Sequence, residues 1–302
     1  MKIIFGTALL YLLLACPNGS WSWYPRLQSQ SFLDQTQPSD LVGQHRSYLL
    51  GPDETLIELA RRSGIGYLAL LQANPGVDPW LPPAGQKVLL PYAFLLPRSI
   101  QEGITINLAE LRLYYLWRER GQLRVRAYPV GIGSEGWDTP EGEFTVAQHI
   151  EHPSWTAPTT ILAAEPDTAT SIPPGPENPL GDYWLGLSIP GYGIHGTNKP
   201  FGVGRRVSHG CLRLYPKDIR DLFPRAIKGT PVQIIYQPIK VGLHNGQLFA
   251  EIHPDLNQRI TDPVAEVLRQ VAALPWQGEI DFKALNKAVA AQQGIPIAIS
   301  KH

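Results

Sequence analysis

Two histidines and one of only two cysteines crowd into residues 194–211, IHGTNKPFGVGRRVSHGC. A thiolate is an effective nucleophile near neutral pH, and an imidazole can take its proton and later return it to a leaving amine. His209 lies two residues before Cys211, so an extended strand would direct both side chains to one face. His195 lies sixteen residues before Cys211, and the intervening loop carries Gly196, Pro200, Gly202 and Gly204, which can bring it back beside the sulfur. Spacing alone therefore admits either imidazole as the base. Gly210 can adopt the tight geometry that turns successive backbone N–H groups toward an oxyanion. Arg213 offers a planar donor fork for a substrate carboxylate.

The rival chemistry for such a cluster is metal hydrolysis. His149, His152, His195, His209 and Cys211 are all possible zinc ligands by type. The chain has no HExxH or CxxC pattern and no repeated ligand spacing, and His149 and His152 read as loop or surface residues. A thiol peptidase of the NlpC/P60 class is the nearer rival. In that class the nucleophile precedes the histidine, whereas His195 precedes Cys211 here.

The segment resembles the signature of the YkuD-type L,D-transpeptidases, in particular the ErfK/YbiS/YcfS/YnhG group of Gram-negative envelope enzymes. INLAELRLYYL (106–116), GIGSEGWDTPEGEF (131–144), PPGPENPLGDYW (173–184) and IHGTNKP (194–200) resemble the same group, so the likeness spans about residues 40 to 255. The resemblance implies Cys211 as nucleophile, His195 as general base and His209 as a supporting group. It further implies that the Gly196 carbonyl orients His195, that Gly210 and Cys211 supply oxyanion N–H groups, and that Ser208 fills the Ser/Thr place of the motif. Arg213 stands where several Gram-positive relatives carry asparagine, which places the chain in an SHGC-hydrophobic-Arg branch.

Positioning those residues takes a scaffold, and 302 residues leave ample length for a sizeable core. Lys plus Arg and Asp plus Glu number 26 each, so the balanced charge argues against nucleic acid as a partner. The 29 prolines and 28 glycines imply many turns, while 43% apolar residues exclude wholesale disorder. MKIIFGTALLYLLLA (1–15) has the pattern of a secretory signal and is too short for a comfortable membrane span. LLAC (13–16) resembles a loose lipobox, which makes Cys16 a candidate lipid-modified terminus. Cleavage near Ser20 is the alternative, and either fate leaves Cys211 as the one thiol of the folded body, so no structural disulfide competes for it.

Residues 1–20 thus read as a signal segment and 21–43 as a polar linker. Across 44–92, Asp53 and Thr55 can cap a helix with Leu56, Leu59 and Ala60 on its inner face, and a second apolar helix stops before Pro75. Short strands flank them at Tyr48–Leu50 and Lys87–Leu90. This order resembles LysM, a small module that recognises N-acetylglucosamine polymers. Alternating apolar residues from Ile104 onward open a mainly β catalytic domain over 100–236. Residues 237–302 add a hairpin and two helices with acidic caps, a short α-containing extension whose amphipathic faces suit covering the barrel.

The expected fold is therefore a mainly β YkuD-type domain with a small α/β LysM module and a C-terminal extension. The resemblance implies a periplasmic acyltransferase that needs no metal or organic cofactor. Its implied partners are peptidoglycan glycan strands and stem peptides and, as an acyl acceptor, an outer-membrane lipoprotein. The bare residues license thiol acyl transfer alone. Two further readings stay open: an L,D-carboxypeptidase with water as acceptor, and a nonenzymatic wall-binding scaffold.

Overall fold

A computed structural model of the chain describes residues 39–98, 100–164 and 166–301. The signal segment, Cys16 and most of the expected linker lie outside the described residues. Eight strands form the central sheet. Their spatial order is Leu212–Arg213, Gly193–His195, Tyr183–Leu187, Gly142–Glu151, Pro231–Ile235, Gly103–Asn107, Arg112–Glu119 and Gln122–Pro129. The alternation expected from Ile104 is realised: Ile104, Ile106 and Leu113 enter one core with Val146, Leu185, Ile194, Leu212 and Ile234.

The sheet curls until its two ends meet. Gly131, just past Gln122–Pro129, exchanges both backbone hydrogen bonds with Arg213 on the opposite edge, each at 2.8 Å. Closure removes exposed edges, and here it also fastens the cysteine-bearing edge to a fixed neighbour. A Cβ on Gly131 would lie 2.5 Å from the Gly202 carbonyl oxygen, so the closure point tolerates no side chain. The short strands Arg206–Ser208 and Ile132–Gly133 run parallel beside this seam.

The N-terminal unit is a two-stranded antiparallel sheet, Arg46–Leu49 with Lys87–Leu90, covered by helices Leu56–Ser63 and Tyr67–Ala73. Thr55 caps the first helix, its hydroxyl accepting from the Glu58 N–H at 3.3 Å, and Gly64 ends it in the left-handed region at φ 66°. Asn74 ties helix to strand: its side-chain NH2 donates to the Leu70 and Leu89 carbonyls, and its oxygen accepts from the Leu89 N–H.

The C-terminal unit packs helices Pro263–Val271 and Phe282–Ala291 against the hairpin Ile239–His244 and Gln247–Ile252. Asp262 and Asp281 cap the two helices as their acidic placement suggests. The second ends at Gln292, which takes the left-handed position at φ 44°. Residues 39–43 are not simple linker. Leu41–Val42 pairs with Phe94–Leu95, and Asp40 exchanges two hydrogen bonds with Leu243, so this stretch straps the C-terminal hairpin to the chain entering the barrel.

Beneath that strap lies a wholly buried ionic cluster. The Lys240 ammonium sits 2.7 Å from Glu110 and 2.9 Å from Glu251, donates to the Leu95 carbonyl, and lies 3.1 Å from the Tyr114 hydroxyl. Arg112 donates to Glu110 at 2.9 Å, and the His253 Nε2 lies 2.8 Å from Glu251. Burial alone would raise the Glu251 carboxyl, but Lys240, His253 and Arg112 together hold it down to about 2. Glu110, Glu251 and His253 are also the described residues that best match a metal-ligand triplet. The Lys240 ammonium already supplies the cation between the two carboxylates.

Candidate active site

Strand Gly193–His195 lies antiparallel to Tyr183–Leu187 and parallel to Leu212–Arg213, with His195 in register with Arg213 and Ile194 with Leu212. Paired residues of parallel strands project to the same face. Ile194 and Leu212 therefore enter the core together, while His195 and Arg213 share the opposite face. Cys211, one place before its strand, falls level with Gly193. That glycine's N–H meets the sulfur and favours the thiolate.

The His195 imidazole is 3% exposed, and its Nδ1 lies 2.5 Å from the Gly196 carbonyl oxygen. A nitrogen facing a carbonyl must carry the proton, which leaves Nε2 as the basic lone pair. Burial, and then the Arg213 charge, lower the imidazole to about 3, against the smaller opposing pull of the Gly196 and Leu180 carbonyls. His195 is thus neutral throughout the physiological range. Burial also raises the Cys211 thiol, while the Gly193 N–H and Arg213 draw it partly back. The resting pair is therefore a neutral thiol and a neutral imidazole rather than a preformed ion pair. The thiol donates to the Gly191 carbonyl at 3.5 Å.

The turn before Cys211 is held from three sides. Gly210 adopts φ 99°, and a Cβ there would lie 2.7 Å from the Tyr192 ring. The Ser208 hydroxyl donates to the Cys211 carbonyl at 2.6 Å and accepts from the Gly210 N–H at 3.2 Å. The Thr139 hydroxyl donates to the Gly210 carbonyl at 2.8 Å and accepts from the Gly133 N–H. The Gly210 N–H points to Ser208, and this glycine supplies the bend. Residues 209 and 210 lie in that bend rather than in a strand, and the His209 ring packs edge-on against Trp137 at 4.7 Å.

Arg213 is half-buried, and its Nε is buried without a hydrogen-bond partner. Burial lowers its own basicity, with Cys211 as the opposing influence. His149 stacks on Phe223 at 3.7 Å, and His152 is exposed at φ 49°. Among the described residues, the histidines and cysteine named as possible zinc ligands do not form a metal-ligand group.

Sequence reasoning missed Gly191, Tyr192, Gly193 and Trp184. The Trp184 ring stacks with His195 at 5.7 Å, and a Cβ at Gly193 would lie 2.5 Å from that indole. The GYG immediately before IHG was the available cue, since a glycine flanked by large rings marks a close approach.

Residues 101–234 match the YkuD L,D-transpeptidase catalytic domain. The chain is 37% identical over 279 residues to a protein of Escherichia coli K12 called probable L,D-transpeptidase YcfS, covering 87% of this chain and 86% of that one. It is 37% identical over 280 residues to Salmonella typhimurium ErfK/SrfK, also called a probable L,D-transpeptidase, covering 87% and 88%.

The chain belongs to the YkuD family of L,D-transpeptidases.

The catalytic domain of the Enterococcus faecium L,D-transpeptidase, solved by NMR, is 23% identical with a TM-score of 0.35, covering 46% of this chain and all of that one. As a member of that family, this chain is an L,D-transpeptidase. Cys211 is the free thiol of the described residues.

Proposed function

We propose that Cys211 attacks the carbonyl joining meso-diaminopimelate to the terminal D-alanine of a peptidoglycan tetrapeptide. The observation that carries this reading is the shared face of His195 and Arg213 on two paired strands, with Cys211 immediately before the second of them. As the sulfur–carbon bond forms, the thiol proton passes to Nε2 of His195. As the carbon–nitrogen bond breaks, His195 returns that proton to the departing amine and D-alanine leaves. An acceptor amine then attacks the thioester, gives a proton to His195 and expels the sulfur, which takes the proton back. The Cys211 N–H serves the developing oxyanion, and the Gly193 N–H supports the thiolate. The acceptor is a second stem peptide, giving a 3-3 crosslink, or the lysine of an outer-membrane lipoprotein.

The order strand, helix, helix, strand over 44–92 supports reading the N-terminal unit as a LysM module that holds glycan strands. Trp80 and Leu81, 59% and 83% exposed, offer apolar contact to sugar faces. The remaining limits follow the same reading: a signal at 1–20, a catalytic domain at 100–236, an extension at 237–302, and residence in the periplasm with Cys16 as a lipid-anchor candidate. Supplying purified protein with a defined tetrapeptide, with and without a lysine-ended lipoprotein peptide, and weighing the products tests the chemistry. A peptide dimer indicates crosslinking and a mixed conjugate indicates anchoring. Release of D-alanine without a joined product identifies a carboxypeptidase, and no release from a reduced enzyme identifies a scaffold.

A further inference from the structure

The loop that links His195 to Ser208 does not stand alone. One side of it meets the N-terminal unit backbone to backbone. Gly204 sits at φ 73°, and a Cβ there would lie 2.3 Å from the Gly66 Cα and 2.5 Å from the Tyr67 nitrogen. The Leu68 N–H donates to the Gly204 carbonyl at 3.2 Å. On either flank, the Arg61 guanidinium lies over the Phe201 ring at 5.7 Å and Arg205 lies over Tyr67 at 5.5 Å. Tyr215, four residues past Cys211, donates its hydroxyl to the Ile65 carbonyl at 3.0 Å. The turn between the two helices therefore touches the chain both before and after the nucleophile.

The other side of the loop rests on the barrel seam. The Arg205 carbonyl accepts from the Ile132 N–H at 3.0 Å, and Gly202 presses on Gly131, the residue that exchanges both hydrogen bonds with Arg213. Any displacement of Gly204 is carried through packed backbone to the strand holding Arg213 and to Ser208, which ties down the Cys211 carbonyl. Backbone in contact with backbone has no rotamer by which to yield.

We infer that the Gly64–Tyr67 turn is a positioning part of the catalytic site, with Gly66 and Gly204 as its positioning residues. A module that only tethers the enzyme to the wall would leave soluble substrate untouched; this one sets the height of the loop between base and nucleophile. The inference rests on the reading of Cys211 and His195 as the reacting pair.

The test compares full-length Gly204→Ala with Gly85→Ala. Gly85 lies in the same unit at φ 77° with nothing within 4 Å of its added Cβ, so it introduces similar backbone strain without the clash. Turnover of a soluble tetrapeptide and the pH dependence of Cys211 alkylation by iodoacetamide are measured on folded protein. Gly204→Ala is expected to lower kcat by about tenfold or more, the scale of a misplaced reacting group, with KM within about twofold of wild type. Its alkylation midpoint should move as well, while Gly85→Ala should match wild type in both. Equal losses in the two variants, or an unchanged kcat in Gly204→Ala, overturn the inference. Should Gly204→Ala not fold, Tyr215→Phe removes only the bond to Ile65; a threefold or greater fall in kcat at constant KM sustains the inference, and wild-type kinetics refute it. Full activity in a Cys211→Ser variant would instead refute the catalytic reading, an outcome separate from either.

Discussion

Two polar clusters are buried at the margins of one barrel, and they are built on opposite rules. Around Lys240, carboxylates face cations at hydrogen-bonding distance, and the Glu251 carboxyl is held down to about 2. Around Cys211, the groups are left short of partners. The thiol has a long bond to Gly191, the Arg213 Nε has none, and burial pushes His195 down and Cys211 up. A satisfied cluster has no reason to react, because every proton already sits where it is best held. A cluster whose acid and base are both kept neutral stores the capacity to transfer a proton when a substrate arrives. Buried polarity alone thus says little about function; the state of its satisfaction says much.

The sharpest break of this contrast exchanges the roles of activity and stability. Cys211→Ala should lower tetrapeptide turnover by on the order of 10⁴-fold or more, as loss of a nucleophile does. Its urea midpoint should stay near that of wild type. Lys240→Met should do the reverse, losing about 3–5 kcal/mol because two carboxylates remain buried without their ammonium. Activity per folded molecule should then be unchanged. Pairing Lys240→Met with Glu251→Gln should return part of the lost stability. A Lys240→Met protein as stable as wild type would show that the cluster is no fastening at all.

The next effect is a matter of pH. Folded His195 holds its proton only below about 3, whereas the unfolded imidazole takes one up near 6.5. Below pH 6.5 the unfolded chain therefore binds the extra proton, and stability falls as pH falls, by about 1.4 kcal/mol per unit. Glu251 adds the same sign in a lower window, from its ordinary 4.5 down to about 2. Between pH 6.5 and 5 the two are separable. Urea midpoints there should decline for wild type and decline less for His195→Gln, and parallel curves would contradict the buried neutral imidazole. His195→Gln should also slow turnover by about 10²–10⁴-fold, the usual contribution of a general base.

These contrasts were unequally legible in the chain. The residues proposed to react stand out because a thiol, a glycine turn and two imidazoles are packed into residues 194–211, and the strand alternation from Ile104 follows from local pattern. Between His195 and His209 the spacing could not choose. The structure adds Gly210 at φ 99° and a His209 ring packed edge-on against Trp137, neither of which spacing shows. The Lys240 cluster was invisible for a different reason. In IKVGLH the lysine reads as a strand residue facing water, and its partners Glu110 and Glu251 lie on other elements, with Glu110 130 residues away. The docking of the N-terminal turn was hidden likewise, since Gly66 and Gly204 meet only once the barrel has closed.

The smallest expected effect separates charge from shape at Arg213. Its positive charge lowers His195 and favours the Cys211 thiolate, so Arg213→Gln should move the alkylation midpoint of Cys211 to higher pH. Arg213→Lys keeps the charge and gives up the planar fork. Were Arg213 only a source of field, the lysine variant would behave as wild type in every assay. If its free N–H groups also grip a substrate carboxylate, the lysine variant should keep the wild-type midpoint yet show KM raised roughly tenfold, the worth of about 1.4 kcal/mol in a charged hydrogen bond. Measuring alkylation and tetrapeptide kinetics on both variants divides the cases. A lysine variant with unaltered KM rejects the grip, and a glutamine variant with an unshifted midpoint rejects the field, leaving Arg213 as a residue of the barrel seam through its two backbone bonds to Gly131.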